Sequence, residues 1–193
     1  MVGNKPNYTA IDVFRVFFRI EKSTARAKLV DETCLGEGTV RTILDLLKGK
    51  NLLSSDREGH SLTDKGKNIS NKISAEIPYI KNLEYSTLYP KDKKCFIIIR
   101  GAESQQDYVS LRDISVKNSA NGALIFCFEG GLYLAGEKKG KDFKELEERF
   151  EFKDKDILIL AFADSFFDAE RGAIAIASEL SRELKRFIDI FDK

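Results

Sequence analysis

The chain has 193 residues, 42% hydrophobic and 33% charged, a balance that fits one or two packed, soluble domains and excludes a mostly disordered protein. Its formal net charge is +1, so no overall basic field points to nucleic acid, and any binding patch must come from placement. Three scattered cysteines and a single histidine lack zinc-ligand spacing, and the longest strongly apolar run, Ile157 to Ala163, is far too short for a bilayer.

Charge is distributed unevenly: residues 1–90 carry net +3 and residues 91–193 net −2. The odd set of cysteines, Cys34, Cys95 and Cys127, reads as reduced thiols buried as small hydrophobes. With charged residues where a secretory signal would be apolar, the expected compartment is the cytoplasm.

In chain order, Ile11, Phe14, Phe17 and Phe18 predict a helix within Thr9 to Lys22, capped by Thr9. A second helix is expected after Ser23, read as its cap, running to about Glu32. Gly36 and Gly38 then supply the freedom for a tight turn. Val40, Ile43, Leu44 and Leu47 repeat at helical spacing and face a core, leaving Thr39, Arg41, Thr42, Asp45 and Lys48 on the other face. Gly49 or Asn51 ends that helix.

Leu52 to Ser55 and His60 to Leu62 read as two strands around a charged tip, Asp56-Arg57-Glu58-Gly59. Thr63 caps a further helix from Asp64 to about Glu76, buried through Ile69, Ile73 and Ile77. The order helix, helix, helix, strand, strand, helix predicts a winged helix-turn-helix. The helix after the glycine-bearing turn presents short polar groups and an arginine to a DNA major groove, and Arg57 reaches phosphate or the minor groove. Asp45, four residues after Arg41, offers a competing partner that would hold Arg41 away from DNA.

The run "GTVRTILDLLKGKNLLSSDREGHSLTDKG" resembles the recognition helix and wing of prokaryotic winged-helix transcriptional regulators. That resemblance implies that Thr39, Arg41 and Thr42 meet bases or phosphates and that Arg57 is the wing contact. Lys48 and His60, on the same helix and at the base of the wing, complete the expected DNA-binding set. "LTDKG" is also similar to metal-dependent regulators, but the Cys and His ligands that follow there are missing, so neither metal nor cofactor is expected.

From the prolines and charges between 78 and 94, residues 1–78 are expected as the winged helix, 79–94 as a linker and 95–193 as a second domain. Cys95 to Ile99 reads as a buried strand, Asp107 to Lys117 as a helix, and Ala123 to Glu129 with Leu132 to Gly136 as a hairpin turning at Gly130-Gly131. A short helix around Phe143, Leu146 and Phe150 follows, then a strand from Ile157 to Phe162 and one helix from about Phe167 to Phe191. This order predicts an α+β chain whose C-terminal α/β sandwich is ferredoxin-like, βαββαβ plus a C-terminal helix. With "SLRDISVKNSANGALIF" and "DILILAFADSFFDAERGAIAIA", the chain resembles an archaeal family of two-domain winged-helix proteins whose C-terminal domain has no assigned function.

Asp164 and Ser165 sit where a buried strand meets a helix, a place where helix amides collect anions. If strand ends gather at one edge, Arg100, Arg112, Asp113, Asp164 and Ser165 line a pocket for a small charged effector. The other reading is that Asp164 or Asp168 only caps the helix and the arginines are solvated or ion-paired. Along the last helix, Ala173, Ala177, Leu180, Leu184, Phe187 and Phe191 form a heptad-like seam, which either packs on its own sheet or pairs with a second copy.

Serine-hydrolase, kinase and nucleotide-loop signatures are missing, so an enzyme is not expected. The function expected is sequence-specific binding of double-stranded DNA by a transcriptional regulator with a C-terminal sensory or dimerisation domain. Its alternatives are a winged-helix adaptor that docks proteins and an enzyme built on the C-terminal half.

Overall fold

The computed structural model describes residues 7–102, 107–137 and 143–192. The chain divides into two compact units, residues 1–72 with 186–193 and residues 73–185.

In the first unit, α1 (Ala10–Phe18) starts from a capping box: the Thr9 hydroxyl accepts from the Asp12 amide while the Asp12 carboxylate accepts from the Thr9 amide. Its apolar face is buried, and so are Asp12 and Arg15, whose periodicity gives no hint of burial. The Arg15 guanidinium donates to Asp12 (3.4 Å) and to the Thr33 carbonyl (2.9 Å), which ties α1 to the end of α2 (Arg26–Thr33). Ser23 does not cap α2, whose N-cap is Ala25. Ser23 and Thr24 instead run beside the hairpin, and Thr24 exchanges both backbone hydrogen bonds with His60 (2.8 and 2.9 Å).

The turn before α3 (Glu37–Gly49) also differs from expectation. Its left-handed residue is Cys34 (φ 55°), whereas Gly36 is the N-cap of α3 and Gly38 lies inside the helix. Cys34 is exposed; only Cys95 and Cys127 are buried. As predicted, α3 buries Val40, Ile43, Leu44 and Leu47, and Asn51 (φ 57°) turns the chain after it. Strands β1 (Leu53–Ser55) and β2 (His60–Leu62) form an antiparallel hairpin, followed by α4 (Asp64–Glu76). Thr63 caps α4 by accepting from the Gly66 amide (3.1 Å), and its own hydroxyl donates to the Asn51 carbonyl (2.8 Å).

The second unit is built on a five-stranded antiparallel sheet: β3 (Tyr79–Leu83), β4 (Lys93–Ile99), β5 (Gly122–Phe128), β6 (Leu132–Leu134) and β7 (Ile157–Ala163), in the order β3-β4-β7-β5-β6. Two features depart from the ferredoxin-like expectation. Tyr79–Leu83, read as linker, is an edge strand, and the last strand, β7, is central between β4 and β5. A split βαβ sheet would place its last strand at an edge, carried there by a second crossover helix. Here the β6–β7 connection, which carries the single-turn α6 (Lys144–Glu147), instead returns the chain past β5 to the centre of the sheet.

Helices α5 (Tyr108–Lys117) and α7 (Phe166–Leu180) lie side by side against the sheet. Strand alternation sends Phe96, Ile98, Phe126, Leu158, Leu160 and Phe162 to a common cluster with Tyr85, Leu132 and Leu146. Because α5 and α7 contribute nothing to that cluster, they cover the opposite face. The expected single terminal helix is two: Ser181 is extended (ψ 119°), ends α7, and caps α8 (Arg182–Asp189) by accepting from the Leu184 amide (3.1 Å). The heptad-like seam is therefore broken, and Ala173, Ala177, Leu184 and Phe187 along it are buried.

Among the described residues, no helix is long and apolar enough to cross a membrane, and no group of three or more metal-ligating side chains occurs.

Candidate functional site

The outer face of α3 and the hairpin hold the residues expected to meet DNA. Arg41, Thr42, Lys48 and Arg57 are exposed, while Thr39 and His60 are half-buried. The Thr42 hydroxyl donates to the Gly38 carbonyl one turn earlier (3.0 Å), leaving its oxygen as an outward acceptor. Arg41 pairs with Glu37 (3.6 Å), not with Asp45, which pairs with Lys48 (3.6 Å). All four side chains are exposed, so each pair is worth at most about 1 kcal/mol and phosphate can displace it.

Glu37 also holds Arg26 (2.9 Å), the first residue of α2. The sequence reading missed Arg26, because its place beside α3 depends on where α2 begins, and Ala25 gives no capping signal. The His60 ring nitrogen Nδ1 lies 2.5 Å from the Ser55 hydroxyl across the hairpin. Partial burial lowers the His60 pKa below its ordinary value, and the positive charges of Lys48 and Arg26 lower it further. Asp45 and Asp56 act in the opposite direction, so His60 stands among charges of both signs, with Arg26 and Lys48 as the nearby cations.

In the second unit the expected ligand residues separate. Arg100, just past the end of β4, donates to Asp156, whose side chain is fully buried, and to the Glu151 carbonyl (3.3 Å). The same Asp156 oxygen accepts from the Lys153 amide (2.7 Å). Asp164 lies just past the end of β7 and accepts from Asn121 (2.9 Å), which also donates to Asp92 (3.0 Å). Because β4 and β7 run antiparallel over seven residues, Arg100 and Asp164 stand at opposite ends of the sheet, roughly 25 Å apart. They cannot line one pocket.

Ser165, rather than Asp164, caps α7: its hydroxyl accepts from the Asp168 amide (3.1 Å) and donates to the Asp168 carboxylate (2.6 Å). Arg112 and Asp113 sit on the exposed face of α5. Arg112 borders two hollows of 340 and 530 Å³, the second of which also touches Asp113 and Asn121. Arg112, Asp113 and the Asn121–Asp164 pair thus share a neighbourhood that excludes Arg100.

These features define a mixed α+β protein of two units, a helical one with a small hairpin and one built on a five-stranded antiparallel sheet. Residues 9–68 match the family model described as PH0730-like, N-terminal domain, and residues 90–180 match the domain of unknown function DUF4443. Among solved structures, the hypothetical protein PH0730 from Pyrococcus horikoshii OT3 is similar over 93% of this chain and 99% of its own, with 24% identity and a TM-score of 0.76. At that identity the likeness concerns the fold. No curated protein matches the chain.

Proposed function

We propose that this chain is a transcriptional regulator that binds double-stranded DNA through a winged helix-turn-helix formed by α1 to α4 and the β1–β2 hairpin. The observation that carries the reading is the juxtaposition of an exposed α3 face, bearing Thr39, Arg41 and Thr42 in its first half, with an exposed hairpin tip bearing Arg57. An α-helix with short polar groups and an arginine near its N-terminal end matches the major groove, where a guanidinium can bond both acceptors of a guanine. Arg26, Lys48 and His60 supply positive or protonatable groups around that helix for the phosphates. The second unit then serves for sensing or dimerisation.

The test is selection of bound duplexes from a random pool by the full chain at two salt concentrations. An enriched motif is expected. Arg41→Ala should weaken binding to it by about 1–3 kcal/mol and relax preference at one position, whereas Arg57→Ala should weaken all duplexes alike. Undiminished binding by Arg41→Ala would remove α3 from the interface.

The adaptor reading draws on Glu37 and Asp45, which already neutralise Arg26, Arg41 and Lys48 on this face. A chain that retains no duplex at low salt yet binds a stoichiometric protein partner would establish it in place of DNA binding.

A further inference from the structure

Helix α5 is held on its inner side by Leu111 and Ser115, and Gly172 of α7 packs so close that a Cβ there would stand 2.8 Å from the Ser115 hydroxyl. Its outer side carries a pattern with no partner among the described residues. Val109 is 68% exposed and Val116 52% exposed. A β-branched valine costs a solvated helix about 0.5 kcal/mol relative to alanine, so neither position is explained by local preference. Between them, the Arg112 and Asp113 side chains are exposed and make no ion pair or hydrogen bond among the described residues. Positions 109, 112, 113 and 116 follow the three- and four-residue spacing of one helical face.

That face is its own complement. If two α5 helices lie antiparallel about a twofold axis between residues 112 and 113, Val109 of each copy meets Val116 of the other. Arg112 of each then meets Asp113 of the other, giving two ion pairs and two apolar contacts. Parallel pairing would set Arg112 against Arg112, so the charges select the antiparallel arrangement.

The surroundings suit the same occupant. The 530 Å³ hollow joins Val109 and Val116 to Gly122 and Ala123 on β5, and Tyr89, 43% exposed, forms part of its wall. Beyond Ile125, whose carbonyl accepts from the Ala135 amide (2.8 Å), no described residue pairs with the outer edge of β5 along Gly122 to Leu124. A copy seated on α5 would shield this strand edge, and an unshielded edge invites indiscriminate pairing.

We infer that the chain forms a twofold homodimer through the Val109-Arg112-Asp113-Val116 face of α5. This interface differs from the terminal-helix seam and does not depend on DNA binding.

Sedimentation of the full chain tests it through a charge swap on exposed residues. The natural chain should be dimeric, and Arg112→Asp or Asp113→Arg alone, each placing like charges opposite one another, should raise the dimer Kd roughly tenfold or more. An equimolar mixture of the two variants should recover the dimer, because the mixed pair is oppositely charged again, and the double variant should recover it by itself. Unchanged circular dichroism would show that the single variants fold. A monomeric natural chain, single variants that dimerise normally, or a mixture that stays monomeric would each overturn the proposal.

Discussion

His60 couples the hairpin to the charge around it. With its pKa below 6.5 in the folded chain, the unfolded chain binds the proton more readily between the two values. The stability tied to His60 is therefore complete above about pH 6.5 and is lost as pH falls through the folded value. A melting temperature that is flat near pH 7 and declines below it is expected, with part of that decline removed in His60→Gln. DNA should act in the opposite sense: a nearby phosphate favours the protonated ring, so affinity should rise from pH 7.5 to 6 in the natural chain more than in His60→Gln. The same scale separates structural arginines from those proposed to bind DNA. Arg100→Ala would leave the carboxylate of fully buried Asp156 without its cation and should cost about 3–5 kcal/mol in chemical denaturation. Normal stability in that variant would release Arg100 from its structural role. Sequence could nominate Arg41 and Arg57 because they sit opposite an apolar face or on a charged tip. It could not separate Arg100 from them, since its partner lies 56 residues away.

Elements were legible wherever local chemistry decides them. Thr9 and Thr63 begin helices as capping rules require, and α4 has the predicted bounds. The glycine of "LTDKG" has a steric reason that no local rule contains. A Cβ at Gly66 would stand 2.1 Å from the Leu52 carbonyl oxygen, backbone that cannot move aside. Gly66→Ala should destabilise the first unit by about 1–3 kcal/mol, measured by thermal or denaturant unfolding, although alanine is the better helix former. Cys34→Gly should have the reverse effect, gaining up to about 1 kcal/mol by relieving a left-handed residue. What escaped the sequence was decided by tertiary pairing or by competing signals. The strand pairing of Tyr79–Leu83 depends on β4, with Pro78 and Pro90 reading as linker punctuation. Ser181 sits in an otherwise uninterrupted helical pattern, and its role as a cap is fixed by Glu76, whose carboxylate accepts from its hydroxyl (2.6 Å).

At the scale of the molecule, the antiparallel course of β4 and β7 separates Arg100 from Asp164, an arrangement no order of predicted elements reveals. The first unit, likewise, is not a continuous segment, because residues 186–193 belong to it. Phe187 packs on Phe17 and Phe14, with ring centroids 4.6 and 5.7 Å apart, and Phe191 adds a ring 5.1 Å from Phe187. Phe187→Ala should therefore cost the first unit about 3–5 kcal/mol, and an unchanged melting transition would deny the tail a place in that core. Synthesis runs from the N-terminus, and most N-terminal domains fold while the rest of the chain is still being made. Here the aromatic core begun by Phe14 is closed by a residue translated more than 170 positions later. The unit that is made first is therefore finished last, and a ribosome that stalls within the sheet releases a chain whose opening segment still lacks its lid of rings.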